Sequence, residues 1–110
     1  MLETCNGKLF VYASFASRRK KLTPVRIAAE KIARHLKLSF EVKTFRKKFE
    51  PIYVYYKNGD EEPVPIYCVS DEQSSIEEIC TALRNMMFVL SFHPKNLTLR
   101  QVRKEILQLS

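Results

Sequence analysis

The chain has 110 residues and a mass of 12.9 kDa, the size of one ordinary domain. With 45% hydrophobic and 28% charged residues, the composition is that of a globular protein, and the two glycines are too few for Gly-rich nucleotide-binding loops. The 19 Lys and Arg residues outnumber the 12 Asp and Glu residues, and the net charge of +7 predicts an anionic partner.

The first predicted elements are a strand and an amphipathic helix. Residues 8 to 15 are aromatic and β-branched on both faces, which is typical of a strand in the centre of a sheet. A polar, basic loop is expected over residues 16 to 22. Thr23 as N-cap and Pro24 as first helical residue then predict a helix start, and the helix runs to about Leu36.

Three more strands are predicted after this helix. Residues 38 to 45 alternate between apolar and polar side chains, as in a strand nearer the edge of a sheet. Residues 51 to 57 form the next strand. The Asn58-Gly59 pair is a strong hairpin signal, and it leads into a return strand over residues 62 to 69.

The return strand contains two prolines, Pro63 and Pro65. Alternate N–H groups of a strand point to the same side, so two prolines spaced by two remove donors along one side. We therefore expect this side to be a free edge, and this strand to end the sheet.

Two helical segments are predicted to follow. Serines and glutamates between Ser74 and Glu78 offer a capping box in either of two registers, ahead of an amphipathic helix. A short helix from Thr98 onward closes the chain. Its apolar face is made by Leu99, Val102, Ile106 and Leu109.

The predicted order is β-α-β-β-β-α-α. A central first strand with outer second and fourth strands implies the spatial order 2-1-3-4, which is the arrangement of an α/β, thioredoxin-like core. Residues 1 to 95 are assigned to this domain. Residues 96 to 110 are assigned to an extra C-terminal helical extension.

The cysteines argue against redox and metal chemistry. In redox members of the thioredoxin-like fold the reactive thiols sit between the first strand and the first helix, and residues 14 to 22 contain no cysteine. Cys5, Cys68 and Cys80 are odd in number and widely spaced, which favours unpaired cysteines in a reducing compartment. His35 and His93 lack the spacing of zinc ligands. We therefore expect no enzyme activity, no cofactor and no bound metal.

The positive charge is concentrated in the first half of the chain. Residues 1–55 carry 13 basic and 4 acidic side chains, whereas residues 56–110 carry 6 basic and 8 acidic ones. Two clusters stand out, and because parallel strands end at the same edge of a sheet, both are expected to leave the predicted sheet at one end. They are Arg18, Arg19, Lys20 and Lys21, and Arg46, Lys47 and Lys48.

These clusters are candidate RNA phosphate contacts, since a helix N-terminus beside the first one also favours anions. A solvated positive face, an acidic protein and an anionic membrane surface remain alternatives. Tyr53 and Tyr55 could lie exposed on one face of the third strand, but burial under a helix is the more common outcome. No transmembrane insertion is predicted, because no apolar run is long enough to span a bilayer.

The stretch from Pro51 through Asn58-Gly59 to Asp60, followed by Ile76-Glu-Glu-Ile, resembles the thioredoxin-like proteins of the mitochondrial ribosome. That family also includes a small accessory subunit of respiratory complex I, and the resemblance covers about residues 8–90. It implies a redox-inactive structural subunit packed on ribosomal RNA and neighbouring proteins. It also implies that Pro51 matches the frequently cis proline of the fold.

The sequence therefore predicts a non-catalytic structural subunit of a ribonucleoprotein, most simply a mitochondrial ribosomal protein without a visible cleavable presequence. Its partners would be rRNA and neighbouring proteins, with no small-molecule substrate. A protein–protein interaction module without RNA contact, such as an accessory subunit of another complex, is the alternative. A degenerate thioredoxin enzyme is a third interpretation. Cytoplasmic or nuclear locations stay open.

Overall fold

The computed structural model describes residues 7–14, 19–45, 52–69 and 75–109. This part of the chain forms four strands and four helices. They are β1 (Gly7–Ser14), α1 (Arg19–Leu36), β2 (Ser39–Phe45), β3 (Ile52–Asn58), β4 (Val64–Val69), α2 (Ile76–Leu90), α3 (Leu97–Gln101) and α4 (Arg103–Gln108). Pro51, the candidate cis proline, lies outside the described residues.

The four strands form one sheet in the order β2-β1-β3-β4, which confirms the predicted order. Strand β1 runs parallel to β2 and antiparallel to β3, and β3 pairs antiparallel with β4. Strand β4 ends the sheet, as predicted from Pro63 and Pro65, although Pro63 precedes the strand and only Pro65 lies in it. Pro65 pairs with Tyr55, and the register shifts between Val54 and Tyr55.

The core lies on one face of the sheet. Alternate residues of the two central strands point into a single apolar cluster to which all four helices contribute. The strand residues of this cluster are Leu9, Val11, Ala13, Ile52, Val54, Tyr56 and Ile66. The described helices therefore pack on the same side of the sheet, and α1 packs against α2 there.

Helix α1 begins earlier than the sequence predicts. It starts at Arg19, so Thr23 and Pro24 lie inside the helix and do not cap it. Lys and Arg are good helix formers, and the fixed φ of proline is compatible with a helix even though Pro24 has no N–H to donate to the Lys20 carbonyl. The basic run predicted as a loop is therefore, from Arg19 onward, the first turn of α1.

The hairpin between β3 and β4 is built around Asn58 and Gly59. Gly59 has a φ of 56°, a conformation that glycine adopts without steric cost, and the Glu61 N–H donates to the Asn58 carbonyl at 3.0 Å. The Asn58 side chain accepts a hydrogen bond from the Tyr56 hydroxyl at 2.9 Å and donates one to the Lys95 carbonyl at 3.0 Å. These bonds tie the hairpin to the segment before α3.

Helix α2 begins with the predicted capping box, in the register of Ser75 and Glu78. The Glu78 N–H donates to Ser75 Oγ at 3.1 Å, and the Ser75 N–H donates to Glu78 Oε1 at 2.9 Å. The single closing helix predicted from Thr98 is instead two short helices, α3 and α4, separated at Val102.

The two closing helices are anchored to the core and to the end of α2. Leu99, Ile106 and Leu109 are buried in the same cluster as the strands. Arg103 donates from Nε to Ser91 Oγ at 3.0 Å and from Nη2 to the Ser91 carbonyl at 2.9 Å. These charge-assisted bonds hold the start of α4 against the residue that follows α2.

Candidate nucleic-acid interface

The two basic clusters continue from strand ends that lie side by side. Strands β1 and β2 are in parallel register up to their last residues, where Ser14 pairs with Phe45. One cluster follows Ser14 in the chain, and the other follows Phe45 directly. Arg18, Arg46, Lys47 and Lys48 lie outside the described residues. The predicted parallel pairing of β1 and β2 is confirmed, and the convergence of the two clusters stays a prediction.

Arg19, Lys20 and Lys21 form the first turn of α1, and this turn contains no acidic residue. The N-terminus of a helix carries the positive end of its dipole and several N–H groups without helical partners. Three further positive charges on this turn are electrostatically unfavourable unless an anion lies nearby. The arrangement is therefore suited to a phosphate group.

The sheet face opposite the core, which we call the far face, is rich in aromatic and basic side chains. The side chains that share it lie on β1, β2, β3 and β4, as the strand register and the alternation of side chains show. They are Lys8, Phe10, Tyr12, Glu41, Lys43, Tyr53, Tyr55, Lys57 and Cys68.

The aromatic residues of the far face contact one another across β1 and β3. Phe10 and Tyr55 are stacked, with ring centroids 5.3 Å apart and ring planes 9° apart. Tyr55 also meets Tyr12 edge-on at 6.1 Å and Tyr53 at 6.0 Å. Since the described helices pack on the other side, the expectation that a helix buries Tyr53 and Tyr55 is wrong for these helices; both rings are half-buried beside their neighbours.

Three lysines surround a depression of about 330 Å³ at the end of the far face where β1 begins. It is lined by Gly7, Lys8, Phe10, Ser39, Lys43, Lys57, Gly59 and Pro63. Lys8 is ion-paired with Glu41, and Lys43 Nζ lies 4.6 Å from the centroid of the Phe10 ring. Within the described part of the chain, no carboxylate lies within ion-pair distance of Lys43 or Lys57.

Three lysines and one glutamate give the described far-face residues a net positive charge. The hydrogen bond from Lys8, together with the charges of Lys8 and Lys43, lowers the pKa of Glu41. Partial burial raises the pKa of Tyr53, and the nearby Cys68 thiol adds to this effect. Tyr53 is therefore neutral, and the Glu41 carboxylate is the one negative charge against three lysines among the described far-face residues.

The lysines of the far face are not evident from the sequence alone, because Lys8, Lys43 and Lys57 are single charges on three strands and do not form a run of basic residues. The signal that could have found them is the period of two: Lys8, Phe10 and Tyr12 alternate with the core residues of β1, and Tyr53, Tyr55 and Lys57 do the same on β3.

The two described cysteines are free thiols in different surroundings. Cys80 lies in the core, where burial raises the pKa of its thiol, and Cys68 is exposed on the far face. Over residues 7–14, 19–45, 52–69 and 75–109, no group of three His, Cys, Asp or Glu side chains could hold a metal ion. In that same part of the chain, no helix has the length and apolar character needed to cross a membrane.

No protein-family model matches the sequence, and no curated protein matches it. A function is therefore inferred from the geometry and charge of the described residues.

Proposed function

We propose that this protein is a non-catalytic, RNA-binding structural subunit of a ribonucleoprotein. Its fold would be thioredoxin-like, since the strand order β2-β1-β3-β4 and two main helices on one face suit that core. The chain between Ser14 and Arg19 contains no cysteine, so the position that carries thiol chemistry in such folds has none here.

The observation that carries the proposal is the pairing of Ser14 with Phe45 at the end of the parallel strands. It sets the ends of β1 and β2 side by side, and the two basic segments follow these strand ends in the chain. Seven Lys and Arg residues belong to these segments, Arg18 to Lys21 and Arg46 to Lys48. Lys and Arg beside a helix N-terminus favour phosphate groups, whose contacts fix position without reading sequence.

Within this proposal, the particle would be the mitochondrial ribosome, in line with the resemblance of the Pro51–Asp60 stretch, and the protein would act in the mitochondrion. Strand β4 and helix α4 would face neighbouring proteins. Pro65 on β4 has no N–H to donate, so this edge strand is better suited to side-chain packing than to strand addition.

The test is RNA binding by the full chain and by a variant with Arg18, Arg19, Lys20 and Lys21 changed to Ala. We expect weaker binding to every RNA sequence, and a salt dependence of log K reduced by up to roughly 0.7 per lost phosphate contact on single strands. The matched control removes four exposed charges elsewhere, at Lys31, Lys95, Arg100 and Lys104. Equal salt slopes for the two variants would remove the phosphate-binding role of the first cluster.

A protein–protein interaction module is the second candidate, and the exposed apolar side chains favour it. Of the seven large apolar side chains that are exposed in the described residues, six lie between residues 76 and 107. They are Ile76, Met86, Val89, Phe92, Leu97 and Leu107. Affinity capture before and after nuclease treatment separates the two candidates: a partner set that survives nuclease intact supports the protein module, and its loss supports RNA binding.

A further inference from the structure

The depression on the far face is lined by lysines that belong to neither basic cluster. It lies where β1 begins and β3 ends, whereas the clusters continue from the ends of β1 and β2. Lys43 lies on β2 two residues before Phe45, and its side chain reaches the Phe10 ring. Lys43 therefore lines the depression and is also close in the chain to the second basic cluster.

The charged side chains that line the depression are all lysines, which suits a phosphodiester, although the acidic residues Asp60, Glu61 and Glu62 lie between its lining residues Gly59 and Pro63 in the chain. Lys8, Lys43 and Lys57 contribute three ammonium groups, and Glu41 offsets one of them through its ion pair with Lys8. Ser39 adds a hydroxyl to the rim. Among the described residues neither Lys43 nor Lys57 forms an ion pair, although the Lys43 charge also acts on Glu41, so these two cations are the candidates for two phosphate contacts.

The aromatic floor beside these lysines distinguishes a nucleic acid from other polyanions. Tyr55 is half-buried and stacks on the deeply buried Phe10, so its ring is held in a fixed orientation by a neighbour. Bases of single strands stack on such rings, and this stacking adds to the binding without reading sequence. In a duplex the bases are already stacked on each other, and a flat sheet face cannot reach them.

We propose that the far face binds single-stranded RNA, with phosphates on Lys43 and Lys57 and a base against the Tyr55 ring. This inference rests on the proposed RNA-binding function and makes it more specific. It assigns the single strand to the far face and leaves the two basic clusters as contacts of the adjoining backbone.

The test compares the full chain with the far-face variant Lys43→Gln/Lys57→Gln, on a labelled 12-nucleotide single strand and on a 12-base-pair RNA duplex. For the single strand we expect about tenfold weaker binding at low salt and a salt slope reduced by about 1.4, which is two contacts at roughly 0.7 each. The duplex should be much less affected. The matched control, Lys31→Gln/Lys37→Gln, removes two exposed charges of the α1 side and should leave binding within twofold.

The aromatic contribution is tested separately by Tyr55→Leu and Tyr55→Phe. We expect Tyr55→Leu to weaken single-strand binding at least about fivefold with an unchanged salt slope, because stacking involves no phosphate. Tyr55→Phe keeps the ring and should bind as the unmodified protein does. Far-UV circular dichroism and thermal unfolding of each variant show whether the fold is retained. If the double lysine variant loses the fold, the single changes Lys43→Gln and Lys57→Gln replace it.

The outcomes of these tests distinguish a failure of the far-face inference from a failure of the proposed RNA-binding function. If the far-face variants bind like the unmodified protein while the Arg18–Lys21 variant loses affinity, the far-face inference is overturned and the RNA-binding function stands. If a poly-glutamate peptide competes as well as the single strand and Tyr55→Leu has no effect, the face binds polyanions without bases, and the inference is overturned. If the unmodified chain binds neither RNA at 100 mM salt, both proposals fail.

Discussion

Lys43 Nζ lies 4.6 Å from the centroid of the Phe10 ring, on the side of the sheet opposite the core. Phe10 is only 5% exposed, yet it is not part of the main core cluster. Its ring is covered by Tyr55, stacked at 5.3 Å, and by the Lys43 ammonium. The far face therefore has a small aromatic cluster of its own, which holds Lys43 and Tyr55 in place.

This cluster should contribute to stability. We expect Phe10→Leu to lower the free energy of unfolding by about 1–2 kcal/mol, because leucine keeps an apolar side chain but loses the ring stacking and the cation–π contact. Urea unfolding followed by circular dichroism measures it. The control is Phe92→Leu, whose ring also lies under a cation, Arg103 at 4.0 Å, but is 59% exposed. A larger loss at Phe92 than at Phe10 would contradict the far-face cluster.

The closing helices should be stabilised by the residues that they bury. We expect Leu99→Ala and Ile106→Ala each to cost about 2–5 kcal/mol of unfolding free energy, since both side chains are fully buried in the common core. Leu107→Ala is the matched control, because Leu107 is adjacent to Ile106 and 58% exposed. Its effect should stay within about 0.5 kcal/mol. Equal effects at 106 and 107 would mean that α4 does not dock as described.

Gly7 should tolerate no side chain. A Cβ at this position would lie 2.6 Å from Leu38 Cδ2, 3.0 Å from the Tyr56 hydroxyl oxygen and 3.1 Å from Thr98 Cγ2. We expect Gly7→Ala to destabilise the fold by about 1–3 kcal/mol through overpacking, measured by thermal unfolding. Gly59→Ala, where a positive φ disfavours any other residue, should cost about 1 kcal/mol without a clash. A neutral Gly7→Ala would show that α3 does not pack over this end of β1.

The capping box of α2 should make stability depend on pH in the acidic range. Hydrogen bonds from the Ser75 N–H and side chain lower the pKa of Glu78 below its ordinary value of 4.5. A carboxyl whose pKa is lower when folded stabilises the protein above the unfolded value, and this contribution is lost as the pH falls through the folded pKa. Glu78→Gln should therefore flatten the decrease in unfolding free energy below pH 4.5.

The control for this titration is Glu77→Gln, next to Glu78 in the first turn of α2. Glu77 forms no ion pair or capping bond among the described contacts, so this variant should keep the pH dependence of the unmodified protein. The measurement is urea unfolding at intervals between pH 2.5 and 6. A Glu78→Gln curve that parallels the curve of the unmodified protein throughout would contradict the role of the capping box.

Local patterns in the sequence were sufficient for the sheet but not for the far face. The apolar character of β1 and the alternation in β2 indicate how deeply each strand is buried. The prolines near β4 indicate missing N–H groups at the edge of the sheet. Together these patterns lead to the order β2-β1-β3-β4. The start of α1 was misplaced because Thr23 and Pro24 are strong local signals, while the helix propensity of the preceding basic residues acts as a sum over one turn.

The candidate site was predictable only in part for a different reason. The neighbouring ends of the parallel strands β1 and β2 follow from topology, whereas the grouping of Lys8, Lys43 and Lys57 depends on the register between strands that are distant in sequence. The break at Val102 between α3 and α4 has the same origin. Leu99, Ile106 and Leu109 each reach the core at spacings that a continuous helix would also satisfy, so the pattern alone does not reveal the break.

The central claim is that RNA contacts the sheet side of the molecule, and a titration of the ¹⁵N-labelled full chain with the 12-nucleotide single strand tests it most directly. The account predicts that amide signals of β1, β2 and β3 and of the first turn of α1 shift together and saturate at one RNA per chain, while those of α2 and α4 stay in place. Shifts confined to α2, α3 and α4, or no shifts at a millimolar RNA concentration, would contradict it.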